Sequence, residues 1–193
     1  MYLRSFYTEL PSRFAWIVAG WWDDVRFFWY TTDKGPWVFV LIIALVVTTF
    51  GFAMHAVFVH QDDRQNLTCL ARNVYFEARG EPRAGQYAVA EVTLNRVASG
   101  LYPNTVCGVV YQKSWDPLRK RYVGAFSWTE LNAIPTPMGE EWQRAWNAAE
   151  AVYYQRQTPV LKGALFYHAT YIKPGWARGK QPVARIGKHV FYK

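Results

Sequence analysis

From Gly35 to Met54 the chain reads GPWVFVLIIALVVTTFGFAM, twenty residues without one charge, and the apolar run continues to Val59. At about 1.5 Å of rise per helical residue, twenty residues match the roughly 30 Å hydrocarbon core of a bilayer. A domain drawn from the chain's 193 residues rarely needs so long an uncharged stretch for a buried helix. A cleaved signal peptide fits poorly, because 34 residues precede the run, the run exceeds an h-region and no convincing small-x-small pair follows it. The pattern predicts an uncleaved transmembrane signal anchor over 35–59, with a segment 1–34 before it and a domain 60–193 after it.

The flanks set an expected orientation. Arg4, Arg13, Arg26 and Lys34 precede the run, against Arg64, Arg72 and Arg79 in the twenty residues after Val59. That bias places the N-terminus in the cytoplasm and the C-terminal domain in the periplasm or otherwise outside the cytoplasmic membrane. Residues 1–59 balance at four basic and four acidic groups, so the net charge of +8 lies beyond the anchor. A basic surface on that side points to an anionic polymer or lipid and away from nucleic acid. The stretch Phe14–Tyr30 (FAWIVAGWWDDVRFFWY) is broken by Asp23, Asp24 and Arg26; it reads as an interfacial helix, with partner binding as the alternative.

Cys69 and Cys107, the two cysteines of the chain, both follow the anchor. An oxidising compartment predicts a disulfide between them, two buried thiols or one catalytic thiol being the alternatives. His168 or His189 would have to serve such a thiol as base, and nothing local marks either cysteine as activated.

Beyond the anchor the patterning is mostly helical. Between Arg64 and Arg79, Leu67, Leu70, Ala71, Val74, Tyr75 and Ala78 recur at helical spacing, and Gly80 and Pro82 stop the helix. Arg83 to Ser99 carries Tyr87, Ala90, Leu94 and Val97 on one stripe, with Ala88, Val89 and Val92 on other faces, the pattern of a largely buried helix. Thr136-Pro137 reads as a cap and first residue of a helix reaching about Arg156. Residues 113–135 are basic, aromatic and irregular, and Ala164–His168 and His189–Tyr192 read as short strands.

One carboxylate is out of place. Glu77 falls about 20° from Leu70 on the helical wheel, at the margin of the apolar stripe. Loss of hydration there raises a carboxyl's pKa and lets it hold a proton near neutrality, as a general acid for glycosidic cleavage must. The structural alternative is a cap or a salt bridge to Arg79 or Arg83, and Glu81, past Gly80, reads as structural.

The stretches YFEARGEP (Tyr75–Pro82), GQYAVAEVTLNRV (Gly85–Val97) and YPNTVCGVVYQ (Tyr102–Gln112) strongly resemble the SleB/CwlJ cell-wall hydrolase family. FSWT (Phe126–Thr129), YHA (Tyr167–Ala169), PGW (Pro174–Trp176) and IGKHVFY (Ile186–Tyr192) continue the likeness in order, from Cys69 to the C-terminus. The resemblance implies a mainly α, α+β lysozyme-like domain with a few short strands, and cleavage of the glycan strand of peptidoglycan. It makes Glu77, the first glutamate of EARGE, the catalytic acid. One departure is Ala125, where the family often has Gln before the FS pair.

Hydrolysis through two carboxylates needs a partner about 5–9 Å from the acid. The motifs mark no such group; Glu91, Asp116 and Glu130 are candidates only. A lone acid suffices for lytic transglycosylation, and the resemblance leans the same way, so a membrane-anchored lytic transglycosylase is expected. A muramidase, and a non-catalytic peptidoglycan-binding or scaffold component, are the alternatives. Ser127, Trp128, Tyr167 and His168 are expected to bind and orient sugar, with Tyr111 more readily a core residue. No cofactor is expected: His168 and His189 would suit zinc, but they lack HExxH spacing and a clear third ligand. Lys113, Arg119, Lys120 and Arg121 would attract the carboxylates of stem peptides or simply face solvent.

Overall fold

The computed structural model describes residues 20–31 and 33–193, so the expectations for residues 1–19 lie outside the described residues. The chain divides into two compact units, Met1–Val57 and Phe58–Lys193. In the first, residues 20–31 are helical (α1) and α2 (Gly35–Ala78) begins where the Asp33 carboxylate accepts a hydrogen bond from Gly35 N at 3.1 Å. The apolar part of α2 is long enough to cross a membrane, and none of it is buried. Trp37, Phe39, Leu41, Phe50 and Phe52 all stand exposed along it.

In the second unit the periodicity of α2 takes effect. Leu67, Leu70, Ala71, Val74, Tyr75 and Ala78 are buried, and the helix stops at Ala78 before Gly80 and Pro82. After α3 (Arg83–Ala98) comes α4 (Val106–Val110), whose first turn is capped by Thr105 accepting from Gly108 N at 3.0 Å. Cys69 of α2 and Cys107 of α4 form a disulfide, with Cα atoms 5.2 Å apart. A hairpin follows, β1 (Lys113–Asp116) with β2 (Arg121–Gly124), then a 3-10 turn at Ser127–Glu130 and α5 (Gly139–Tyr153). The last element is an antiparallel sheet of β3 (Phe166–Ala169), β4 (Pro182–Ile186) and β5 (His189–Tyr192), in the order β3-β5-β4.

α3 is buried on most sides, as its sequence predicts, and packs against α4, α5 and β4. Apolar groups from α2, α4 and α5 close one core, while Ala88, Val92, Leu161, Ala164 and Phe191 close a second between α3 and the sheet. Three polar side chains of α3 fix the chain entering β3. The Glu91 carboxylate accepts from Val160 N and Leu161 N at 2.9 and 2.8 Å. Asn95 donates to the Ala164 carbonyl at 3.1 Å, and Arg96 Nε donates to that of Leu165 at 2.8 Å. Buried backbone groups of this loop are thereby paired, and β3 starts at a defined place.

Two local expectations need correction, and one strand has no counterpart in the sequence pattern. The helix expected from Thr136-Pro137 begins only at Gly139, because Met138 is extended and Gly139 takes φ +73°. The stretch read as irregular holds the β1–β2 hairpin, whose mostly exposed side chains give no hydrophobic alternation. β4 pairs with β5 through a register shift between Pro182 and Ala184, which hides its period.

Candidate active site

Glu77 reaches the last turn of α2 and lines an open cleft of about 410 Å³ with Phe76, Ser127, Tyr167, His168, Trp176 and His189. β3 brings Tyr167 across, and its phenol donates to Glu77 Oε2 at 2.9 Å, over 90 residues of sequence. Burial pushes the Glu77 carboxyl above its ordinary range, while the Tyr167 hydrogen bond and the Arg96 charge pull the other way and do not cancel it. Tyr167 is held well above the usual phenol value by burial and by the Glu77 charge, so it remains a donor. With Oε2 engaged by Tyr167, Oε1 is the oxygen left to carry and deliver a proton.

Replacing Tyr167 with Phe removes a hydrogen bond that stabilises the carboxylate form. A bond to a charged group is worth about 1.5–3 kcal/mol, so activity falls by roughly ten- to a hundredfold. Glu77 then stays protonated to higher pH, and the alkaline limb of the kcat/KM profile moves upward. An unmoved limb contradicts this coupling.

Ser127 and His168 line the cleft where the sequence places them. His168 is further fixed by contacts from its ring nitrogens to the Ala169 carbonyl at 2.9 Å and the Tyr192 hydroxyl at 3.0 Å. Trp128 requires correction as a sugar-stacking ring. It is 5% exposed, and its indole N–H donates to Asn73 Oδ1 at 3.0 Å, while Asn73 Nδ2 donates to Thr93 Oγ1 at 3.1 Å. Trp128 stacks on Phe76 at 4.7 Å and so backs the ring that does line the cleft. Tyr111 meets Trp128 edge-on at 5.7 Å and is not part of the cleft lining. Ala125 closes the hairpin base by donating its backbone N–H to Gln112 O at 2.9 Å, and it too is absent from the lining.

The three candidate second carboxylates are all engaged elsewhere. Glu91 holds the Val160–Leu161 backbone. Asp116 accepts from Leu118 N and Arg119 N, and Glu130 binds Gly124 N and Arg121. Glu81 has the structural role its position suggests: it accepts from Lys188 N at 2.8 Å and ties the β4–β5 turn to the start of α3. That turn needs Gly187, at φ +57°, because a Cβ there would collide with the Glu81 carboxylate.

The sequence carries no signal for the roles of Arg96, Phe76 or Trp176, and it offers His189 only as a thiol's base or a zinc ligand. Arg96 lies in the quoted NRV stretch and Trp176 in PGW, but neither motif says that one biases the acid and the other walls its cleft. His189 is buried beside Tyr167, with ring centroids 5.2 Å apart, and burial lowers its pKa so that it stays neutral.

Fold and site together define a class: a mainly helical domain with a small antiparallel sheet, presenting one desolvated carboxyl in an aromatic-walled cleft. The chain belongs to the cell wall hydrolase family, whose model matches residues 80–192. The matched segment starts just after Glu77.

Among curated relatives, the spore cortex-lytic enzyme of Bacillus subtilis (strain 168) is 36% identical over 134 residues, 65% of this chain and 37% of that protein. The spore cortex-lytic enzyme of Oceanobacillus iheyensis is 32% identical over 132 residues, 67% of this chain and 42% of that protein. The chain thus spans well under half the length of these relatives. The crystal structure of the catalytic domain of the Bacillus cereus SleB protein matches with a TM-score of 0.52 and 33% identity, over 69% of this chain and 91% of that one. The catalytic domain of the germination-specific lytic transglycosylase SleB from Bacillus anthracis matches with a TM-score of 0.50 and 31% identity, over 66% of this chain and 93% of that one.

Proposed function

We propose that this chain is a membrane-anchored lytic transglycosylase that cleaves peptidoglycan between N-acetylmuramic acid and N-acetylglucosamine. The observation that carries the reading is the solitude of Glu77, the one carboxylate lining its cleft among the described residues. Hydrolysis with two carboxylates places the second within about 5–9.5 Å of the acid. Glu91, Asp116 and Glu130 are committed to other partners, which supports a single group that both gives and takes the proton.

The geometry suits that cycle. Burial biases Glu77 toward its protonated form, and in that form it donates to the glycosidic oxygen as the bond to C1 breaks. The resulting carboxylate is then stabilised by the Tyr167 hydroxyl and the Arg96 charge. It accepts the proton of the muramic 6-hydroxyl as that oxygen closes onto C1. Phe76 and Trp176 offer apolar ring faces for sugars, and Ser127 and His168 offer polar contacts. Products from purified peptidoglycan test the reading by mass spectrometry: 1,6-anhydro-muramic ends are expected, and reducing muramic ends alone would mean a muramidase.

No metal or cofactor takes part in this scheme. Among the described residues no three His, Cys, Asp or Glu side chains are grouped to hold a metal ion. Cleavage of peptidoglycan is expected to be unaffected by EDTA, and loss restored by zinc would contradict it.

The anchor reading rests on the apolar stretch of α2, none of which is buried among the described residues. Thr48 and Thr49 satisfy their hydroxyls on helix carbonyls at 2.9 and 2.8 Å, as a lipid-facing helix requires. The segment 35–59 would then span the cytoplasmic membrane with the N-terminus inside and 60–193 facing the wall. Protection of the N-terminus alone against protease added to spheroplasts tests that orientation.

A further inference from the structure

The sheet that presents Tyr167 to Glu77 has a second face. Register pairs Tyr167 with Phe191, which is fully buried against α3, and pairs His168 with Val190 and Val190 with Arg185 on the opposite side. On that outer side lies a groove of about 670 Å³, lined in part by Lys173 and Arg178 of the loop between β3 and β4. His168, Ile172 and Pro174 line both this groove and the Glu77 cleft, so the two adjoin.

Its charge is one-sided. Residues 151–193 hold eight Lys or Arg and no Asp or Glu, which accounts for the whole net charge of +8. Lys173, Arg178 and Arg185 line the groove, no carboxylate does, and none of the three is ion-paired among the described residues. The β1–β2 hairpin is different, since Arg121 is paired with Glu130 at 2.9 Å and Arg119 with Asp116 at 3.6 Å. The groove has no carboxylate in its lining to offset its cations, and it lies beside the candidate reacting centre.

We propose that this groove binds the acidic peptide stem borne by the muramic residue whose bond is cleaved. The inference rests on the peptidoglycan reading of the Glu77 cleft. A stem leaves the glycan sideways from the sugar's lactyl group, so a strand seated in the cleft projects it into the adjoining space. Its carboxylates meet Lys173, Arg178 and Arg185, and its alanyl methyls meet Ile172, Pro174 and Val190.

The test uses the full chain in detergent, carrying Glu77→Gln so that strands are bound and not consumed. Its probes are soluble glycan strands with their stems and the same strands stripped by an amidase. Stem-bearing strands are expected to bind about tenfold tighter at low salt, a preference that two charge-assisted contacts readily supply. Adding Arg178→Gln and Arg185→Gln erases the preference, while Arg178→Lys with Arg185→Lys keeps most of it. Equal affinity for both strands overturns the proposal and leaves the peptidoglycan reading intact. A preference that survives the double Gln variant, or equal competition by dextran sulfate, also overturns it. Failure to bind either strand overturns the peptidoglycan reading together with this one.

Discussion

Glu77→Gln is expected to lower the rate of peptidoglycan cleavage by about a thousandfold, within the range that general acid–base groups contribute. The amide fills the same space beside Tyr167 but neither donates an acidic proton nor recovers one, so both halves of the cycle fail. Stability should move the other way. Burial raises the Glu77 pKa in the folded chain, so the folded state disfavours the charged form. Glu77 therefore favours folding most at low pH, below its unfolded pKa, and that contribution is lost as pH rises through its native value. A neutral amide avoids this loss, and the variant should melt at a higher temperature than the native chain at pH 7 and at an equal or lower one under acid conditions. Native activity retained in Glu77→Gln would remove the acid from the account.

The second large effect concerns the disulfide. Cys69 and Cys107 are 38 residues apart, and a bridge closing such a loop stabilises by about 4 kcal/mol in the chain-entropy model. Replacing both with Ala should lower the melting temperature of Phe58–Lys193 by roughly 10 °C or more. The bridge joins α4 to the buried part of α2, one and two turns before the Val74–Glu77 segment. Losing it should therefore depress activity near the melting transition well before it changes activity in the cold. Native protein, denatured without reductant, should titrate no thiol; two free thiols would contradict the bridge.

Much of the helical frame was legible because its signals are local. The spacing from Leu67 to Ala78 predicts both the buried face of α2 and the odd placement of Glu77 at its margin. Gly80 and Pro82 mark the break, and the apolar residues on several faces of the next helix predict the burial of α3. What sequence could not convey is pairing at a distance. Tyr167 meets Glu77 only because Glu91, Asn95 and Arg96 of α3 hold the chain that leads into β3.

Aromatic residues carry the most ambiguous signal. A Trp in FSWT suits stacking on sugar as readily as packing in a core, and only the Asn73–Thr93 pair, waiting to accept its indole N–H, decides for the core. Phe76 took the wall position because it is adjacent to Glu77 at the end of α2. The β1–β2 hairpin leaves no hydrophobic alternation in the sequence because exposed strands need no apolar face. In α5 the cap signal at Thr136-Pro137 was overridden by the left-handed backbone of Gly139.

One carboxyl, alone among the described residues that line its cleft, would make the substrate's own hydroxyl the nucleophile. Digesting purified peptidoglycan with the native chain in water labelled with heavy oxygen tests this most directly. The expected products are anhydro-muropeptides that carry no label at the cleaved muramic residue, and none of them arises from Glu77→Gln. Heavy oxygen at new reducing muramic ends would mean that water attacks C1, and would contradict the single-carboxylate mechanism.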